Sequence, residues 1–182
     1  FVAGDERLTA TARRAIEEYV RTGRRIEIEE RDPALLRPGA AFVTLREEGQ
    51  LRGCIGMLEA RAPLIETVRD RAIMAATRDP RFPPVRSEEV SQLEVEVSVL
   101  SPLRKVASAD DIEISKHGIV VQAGQQSGVF LPQVAQETGW SREVLLEHLC
   151  RDKAGLPADA WRRGASLYVF TVQAFSSPAP GE

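Results

Sequence analysis

Cys54 lies in the stretch Leu51-Arg52-Gly53-Cys54-Ile55-Gly56, next to one glycine and two residues before another. A thiolate is a strong nucleophile, and it forms most readily where the thiol is exposed beside a fixed positive charge. Side chains alternate along a strand, so Leu51, Gly53, Ile55 and Met57 are expected to face the core and Arg52, Cys54 and Gly56 the other side. Arg52 would then lie roughly 6.6 Å from Cys54 along the strand, with Gly56 leaving bare backbone on the far side. This pattern predicts an accessible thiol of lowered pKa in an uncovered notch. The same residues also have a plain structural reading. Free cysteine packs as a small hydrophobe, and glycines in a strand mark a bulge or the close approach of another element. Cys150, one turn after Leu146 on an amphipathic helix, reads as core.

Composition narrows the chemistry. The chain has 182 residues, 43% of them hydrophobic, which is enough to bury a sizeable core without staples. Its 24 basic and 27 acidic residues are interspersed and give a net charge of -3, so no field of one sign favours nucleic acid or an anionic membrane. Aromatics make up 5% and offer few stacking platforms for single-stranded RNA. No apolar run approaches the about 20 residues needed to span a bilayer, and no signal pattern opens the chain. A soluble, cytoplasmic protein is expected. The first residue is Phe1 rather than methionine, which leaves room for a preceding segment. Two cysteines far apart and two histidines without ligand spacing predict reduced thiols, no structural metal and no cofactor.

The elements that would position Cys54 can be read from periodicity. A helix is expected from Asp5 to Arg21, with Leu8, Ala12, Ala15, Ile16, Tyr19 and Val20 on its buried face and Gly23 as a stop. A hairpin follows, with a strand at Ala41 to Arg46, a turn using Gly49 and a return strand to Met57. Pro63 opens a helix striped by Leu64, Ile65, Val68, Ala72, Ala75 and Ala76, and Asp79-Pro80 closes it. After a proline-bounded loop and a helical turn at Ser87 to Ser91, Leu93 to Leu100 alternates as a strand. The second half repeats this order. Gly118 to Gln122 and Gly128 to Pro132 form a hairpin, and helices are expected at Gln133 to Thr138 and at Arg142 to Lys153. A final strand is expected at Ser166 to Phe175. Hairpin, helix and strand thus occur twice, which suggests a duplication. The terminal residues 176–182 read as a disordered tail.

The motifs "LRGCIG", "RDPRFPP", "LEVEVSVLSP", "HGIVV", "FLPQVAQETGW" and "KAGL" resemble the AMMECR domain family, whose bacterial and archaeal members are called AmmeMemoRadiSam system protein A. The resemblance implies an α+β fold: two related β-β-α-β halves around a shared, mainly antiparallel sheet, with an N-terminal helix. It implies one domain over 1–175, divided at about 24–105 and 106–175. It also implies association with separate Memo-like and radical S-adenosylmethionine proteins, because no C-x-x-x-C-x-x-C cluster motif is present in this chain. It brings no settled reaction.

Carried onto this chain, the motifs point to Arg52, Gly53, Cys54 and Gly56, to Asp79, Arg81 and Phe82, to His117 and Gly118, to Pro132 and Gln133, and to Lys153. Arg81 is stiffened by Pro80, Pro83 and Pro84 and suits a carboxylate or phosphate; its bland counterpart is a solvent-facing arginine beside an anchored Phe82. His117 at a strand start could be a general base or a surface turn residue. Lys153 has a helix-dipole explanation. Two function classes follow. In one, an enzyme uses Cys54 as nucleophile or acid/base group, His117 as proton shuttle and Arg52 or Arg81 as anion clamp, which requires thiol and imidazole within hydrogen-bond reach or one water apart. In the other, a binding module accepts a peptide end, nucleotide or partner loop in the glycine-flanked notch and the cysteine merely fits. The expected site is one for a small molecule or peptide centred on Cys54, with Arg52, Gly53, Gly56, Asp79, Arg81 and Gln133 as its binding residues. An RNA-associated role is the weakest reading.

Overall fold

Glu48 and Gly49 join the first two strands with both φ angles positive, at 52° and 77°. This is the primed turn whose twist matches a right-handed hairpin. It connects β1 (Ala40–Glu47) to β2 (Gln50–Met57) in the computed structural model, which describes residues 5–180. The turn sets Glu47 opposite Gln50 and Arg46 opposite Leu51, but the next pairs are Leu45 with Gly53 and Thr44 with Cys54. Arg52 is therefore an extra residue on β2, a β-bulge. The bulge corrects one expectation. Leu51 pairs on the Arg46 side of it and is 41% exposed instead of facing the core with Gly53 and Ile55.

The described residues fall into two compact units, one of residues up to 100 together with those from 173, the other of residues 101–172. The first contains α1 (Asp5–Thr22), a short α2 (Pro33–Leu36), α3 (Leu64–Thr77), β3 (Leu93–Leu100) and most of β8 (Val172–Ser177). Its sheet has the order β2-β1-β3-β8, and β1 pairs antiparallel with both β2 and β3. Val43, Leu45, Val95 and Val97 turn to Leu8, Ala12 and Ile16 of α1 and to Ile65, Val68 and Ala72 of α3. Each such aliphatic side chain contributes about 1.5–3 kcal/mol by leaving water.

The second unit contains β4 (Arg104–Val106), β5 (Gly118–Ala123), β6 (Gln126–Phe130), α4 (Gln133–Thr138), α5 (Arg142–His148) and β7 (Ser166–Phe170). The order in its sheet, β4-β7-β5-β6, repeats that of the first when read from the other side: hairpin, then a later strand beside the hairpin's first. Ile119, Val121, Leu167 and Val169 pack with Leu145, Leu146, Leu149 and Cys150. The expected helix to Lys153 widens after His148 into a π turn over Leu149–Lys153.

The α+β class, the antiparallel pairing and the N-terminal helix are as expected, but the strands form two four-stranded sheets in place of one shared sheet. The reason lies at Thr171. Its N–H donates to Ser101 Oγ and its carbonyl accepts from the Ser101 N–H, and this breaks the expected final strand into β7 and β8. Strand β4 follows β3 in the chain yet completes the second sheet, and β8 follows β7 yet completes the first. Strand β8 continues to Ser177, and Arg13 donates to the carbonyls of Ser177 and Pro178, so residues 176–178 are ordered where a disordered tail was expected. Residues 181 and 182 lie outside the described residues.

Gly53 faces α3 so closely that a β-carbon there would come within 2.2 Å of the Ala75 carbonyl oxygen. Backbone cannot yield as a side-chain tip can. Gly53→Ala is expected to destabilise the protein by about 2–3 kcal/mol, read as a lowered urea midpoint; an unchanged midpoint would mean that strand and helix are not locked at this point.

Candidate thiol site on the first sheet

The bulge decides which way Cys54 points. It pairs with Thr44, whose neighbours Val43 and Leu45 are fully buried, so the thiol shares the outer face of the sheet with Phe42, Thr44 and Arg46. Cys54 is half-buried, and its Sγ lies 3.3 Å from Thr44 Oγ1, where either group can donate. On β3, Glu96 is opposite Thr44 and accepts from Arg46 at 2.5 Å.

Behind the thiol, the backbone is tethered by Asp79. Pro80 is the second residue of a turn closed by the Phe82 N–H donating to the Asp79 carbonyl. Burying the Asp79 side chain to 2% exposure is tolerable only because its carboxylate is saturated. It accepts from the Cys54 backbone N–H at 2.9 Å and the Arg81 backbone N–H at 3.1 Å. It also accepts from Arg81 Nε at 3.0 Å and Nη2 at 2.8 Å. The Arg81 guanidinium, followed by the two backbone donors, holds the Asp79 carboxyl far below the usual carboxylate range against the opposing effect of burial. Arg81 also donates to the Cys54 carbonyl at 3.4 Å and lies over the Phe82 ring at 5.4 Å.

Arg52 does not supply the charge expected of it. Its guanidinium donates to the carbonyls of Pro83 and Pro84 and to Glu89 at 3.0 Å, with Glu47 at 4.0 Å. The cations that respond to Cys54 are Arg46 and Arg81. The pKa of Arg46 is raised mainly by Glu96 and that of Arg81 mainly by Asp79, and a charge on Cys54 adds to both. Gly56 does not open a bare notch either. A β-carbon on it would lie 2.2 Å from Cγ of Phe42, so the space belongs to that ring.

The remaining candidates lie in the second unit. His117 is buried, and its Nδ1 accepts the Glu113 N–H at 3.0 Å, which makes it the cap of a turn and leaves the proton on Nε2. Burial, aided by Lys116 and Arg104 and opposed by Glu113, lowers its pKa. Gly118 makes room for Phe170, whose ring would meet a β-carbon at 2.1 Å. Pro132 and Gln133 begin α4, with Gln133 exposed, and Lys153 ends the π turn against Gly128. The structure thus joins Cys54, Asp79 and Arg81 directly and brings Arg52 to the same loop. Cys150 is fully buried, and burial pushes its thiol pKa up. Among the described residues no group of three or more His, Cys, Asp or Glu could hold a metal ion, and no helix is long and apolar enough to cross a membrane.

Fold and site together define an α+β protein of two hairpin-helix-strand units with a half-exposed thiol on the outer face of one sheet. The chain belongs to the AMMECR1 family, which matches residues 9–175. It is 42% identical to Protein MK0488 of Methanopyrus kandleri, covering 96% of this chain and 89% of that protein. It is likewise 42% identical to Protein PF1979 of Pyrococcus furiosus, over 96% of this chain and 89% of that one. Among solved structures, the crystal structure of uncharacterized protein PH0010 from Pyrococcus horikoshii superposes with a TM-score of 0.89 at 41% identity. It covers 97% of this chain and 92% of its own.

Thr44, Arg46 and Glu96 escaped the sequence reading because nothing local marks them; only the register of β1 against β2 and β3 places them around the thiol. Asp79 gives a pH test. Its folded-state pKa is depressed, so its contribution to stability is full above the unfolded value of about 3.9 and is lost as pH falls below that value. Asp79→Asn is expected to cost about 2–3 kcal/mol at pH 7, and the gap in melting temperature from wild type should shrink between pH 4 and pH 2. A gap independent of pH would show that the carboxylate charge is not what holds the loop.

Proposed function

We propose that the first unit carries a small-molecule or peptide site centred on Cys54, in which the thiol is the nucleophile and Arg81 the anion contact. The observation that carries this reading is the pairing of a half-exposed thiol with Thr44 Oγ1 at 3.3 Å, on a strand whose backbone is tied to Asp79 and Arg81. A tethered strand holds the sulfur in one place at little ordering cost, which is what a positioned nucleophile requires. Thr44 can accept the thiol proton's hydrogen bond or donate to the thiolate. Arg81 is 55% exposed on its side chain, and among the described residues its Nη1 makes no hydrogen bond, so it can meet a carboxylate or phosphate while Nε and Nη2 keep Asp79. The family resemblance supports separate Memo-like and radical S-adenosylmethionine chains as partners of this protein.

One observation favours a second reading, a binding module in which the thiol only lines the site. Both histidines, His117 and His148, belong to the second unit, so the first offers the thiol no imidazole as a base. The two readings separate in one experiment. After incubation with an extract of cell metabolites, intact-mass and peptide mass spectrometry should find an adduct on Cys54 and none on buried Cys150. Arg81→Ala should lower its yield at least tenfold. Absence of any adduct, together with full function of Cys54→Ser in cells, would eliminate the nucleophile and leave the module.

A further inference from the structure

A second feature of the first unit has no part in the thiol site. Between the C-terminal parts of α1 and α3 lies a cavity of about 190 Å³ whose wall includes Tyr19, Arg25, Asp70, Arg71, Met74 and Arg78. Arg71, Met74 and Arg78 recur at i, i+3 and i+7, so they form one stripe along α3 and its cap. Three guanidinium groups therefore line one small space in a protein whose net charge is -3.

The single carboxylate in the wall does not balance them. Asp70 accepts from buried Arg69 through Nε at 2.8 Å and Nη2 at 3.5 Å, while Arg25 stands 3.6 Å away. Asp70 thus pairs with Arg25 inside the wall as well as with Arg69 outside it, which leaves Arg71 and Arg78 as the two cavity arginines it does not offset. Among the described residues Arg71 and Arg78 make no ion pair, and Arg71 Nε is buried without a hydrogen-bond partner. The partial negative charge at the end of α3 accounts for Arg78 at the cap. It does not account for Arg71 in the body of the helix.

We infer that this cavity binds the phosphate group of a small soluble phosphorylated molecule. Guanidinium forks match the geometry of phosphate oxygens. The volume is several times the roughly 30 Å³ share of one water, enough for a phosphate or pyrophosphate group with the rest of the molecule leaving toward solvent. Met74 offers an apolar flank to that remainder. The site stands independently of Cys54 and needs no reaction there.

The test is calorimetric titration of the whole protein with sodium phosphate and sodium pyrophosphate at constant ionic strength, with wild type, Arg71→Gln, Arg78→Gln and Arg61→Gln compared. Saturable binding of pyrophosphate is expected, weakened at least tenfold by Arg71→Gln and by Arg78→Gln and unchanged by Arg61→Gln, an exposed arginine elsewhere. Should Arg71→Gln fail to fold, exposed Arg78 decides alone. A parallel arm uses phosphatidylglycerol vesicles to distinguish a lipid headgroup from a soluble phosphate. Absence of saturable pyrophosphate binding, binding indifferent to Arg78→Gln, or vesicle binding without pyrophosphate binding would each overturn the inference.

Discussion

The extra residue at Arg52 determines what the first sheet shows to solvent. Counted outward from the turn at Glu48 and Gly49, an unbroken ladder would place Cys54 opposite Val43, because Glu47 pairs with Gln50 and Arg46 with Leu51. Val43 is fully buried, so the thiol would face the packed interior beside α1 and α3. A one-residue shift of register moves every later side chain to the opposite face. The bulge makes that shift once, and it brings Cys54 out beside Thr44 while Gly53 turns in against Ala75. The hydrophobic contacts of Ile55 with the core keep the shifted register from sliding back.

A bulge disrupts the local ladder, so the strand beyond it needs another hold. The structure supplies two. Arg52, the inserted residue, is fastened to the Pro83 and Pro84 carbonyls and to Glu89, and the Cys54 N–H is fastened to the buried carboxylate of Asp79. Both holds are on the proline-bounded loop that leaves α3, which is itself pinned where the Val85 N–H donates to the Ala76 carbonyl. Helix, loop and bulged strand therefore form one mechanical unit, and Asp79 is its central acceptor.

Much of this was legible in the sequence where the signal is local. Periodicity revealed α1, α3 and the alternation of Leu93 to Leu100, and the repeated hairpin-helix-strand order indicated the duplication. The prolines mark the loop after α3, and motif resemblance singles out Asp79 and Arg81 within it. What could not be read depends on register and on long-range bonds. Alternation treats β2 as unbroken, so it put Leu51 inside and gave Arg52 to Cys54 as its cation. The true neighbours, Thr44 and Arg46, are named only by pairing. The split at Thr171 escaped for a similar reason, since Ser101 is seventy positions earlier in the chain.

The duplication itself separates what the fold needs at Cys54 from what it does not. In the second unit β5 and β6 pair without a register shift, from Ala123 with Gln126 to Ile119 with Phe130. There Gly128 faces the π turn, where a β-carbon would meet Lys153 and Ala154 at 2.7–2.8 Å, as Gly53 faces Ala75 in the first. The residue after Gly53 is Cys54, and the residue after Gly128 is Val129, each half-buried and each followed by an apolar side chain, Ile55 or Phe130. The counterparts line up only if Arg52 is counted as an insertion. The architecture therefore demands the glycine twice but accepts valine where the first unit has cysteine. Neither the thiol nor the bulge that exposes it is required to build this kind of hairpin. Their joint presence in one half, beside a buried carboxylate that fixes the strand, is the physical ground on which the proposed thiol site rests.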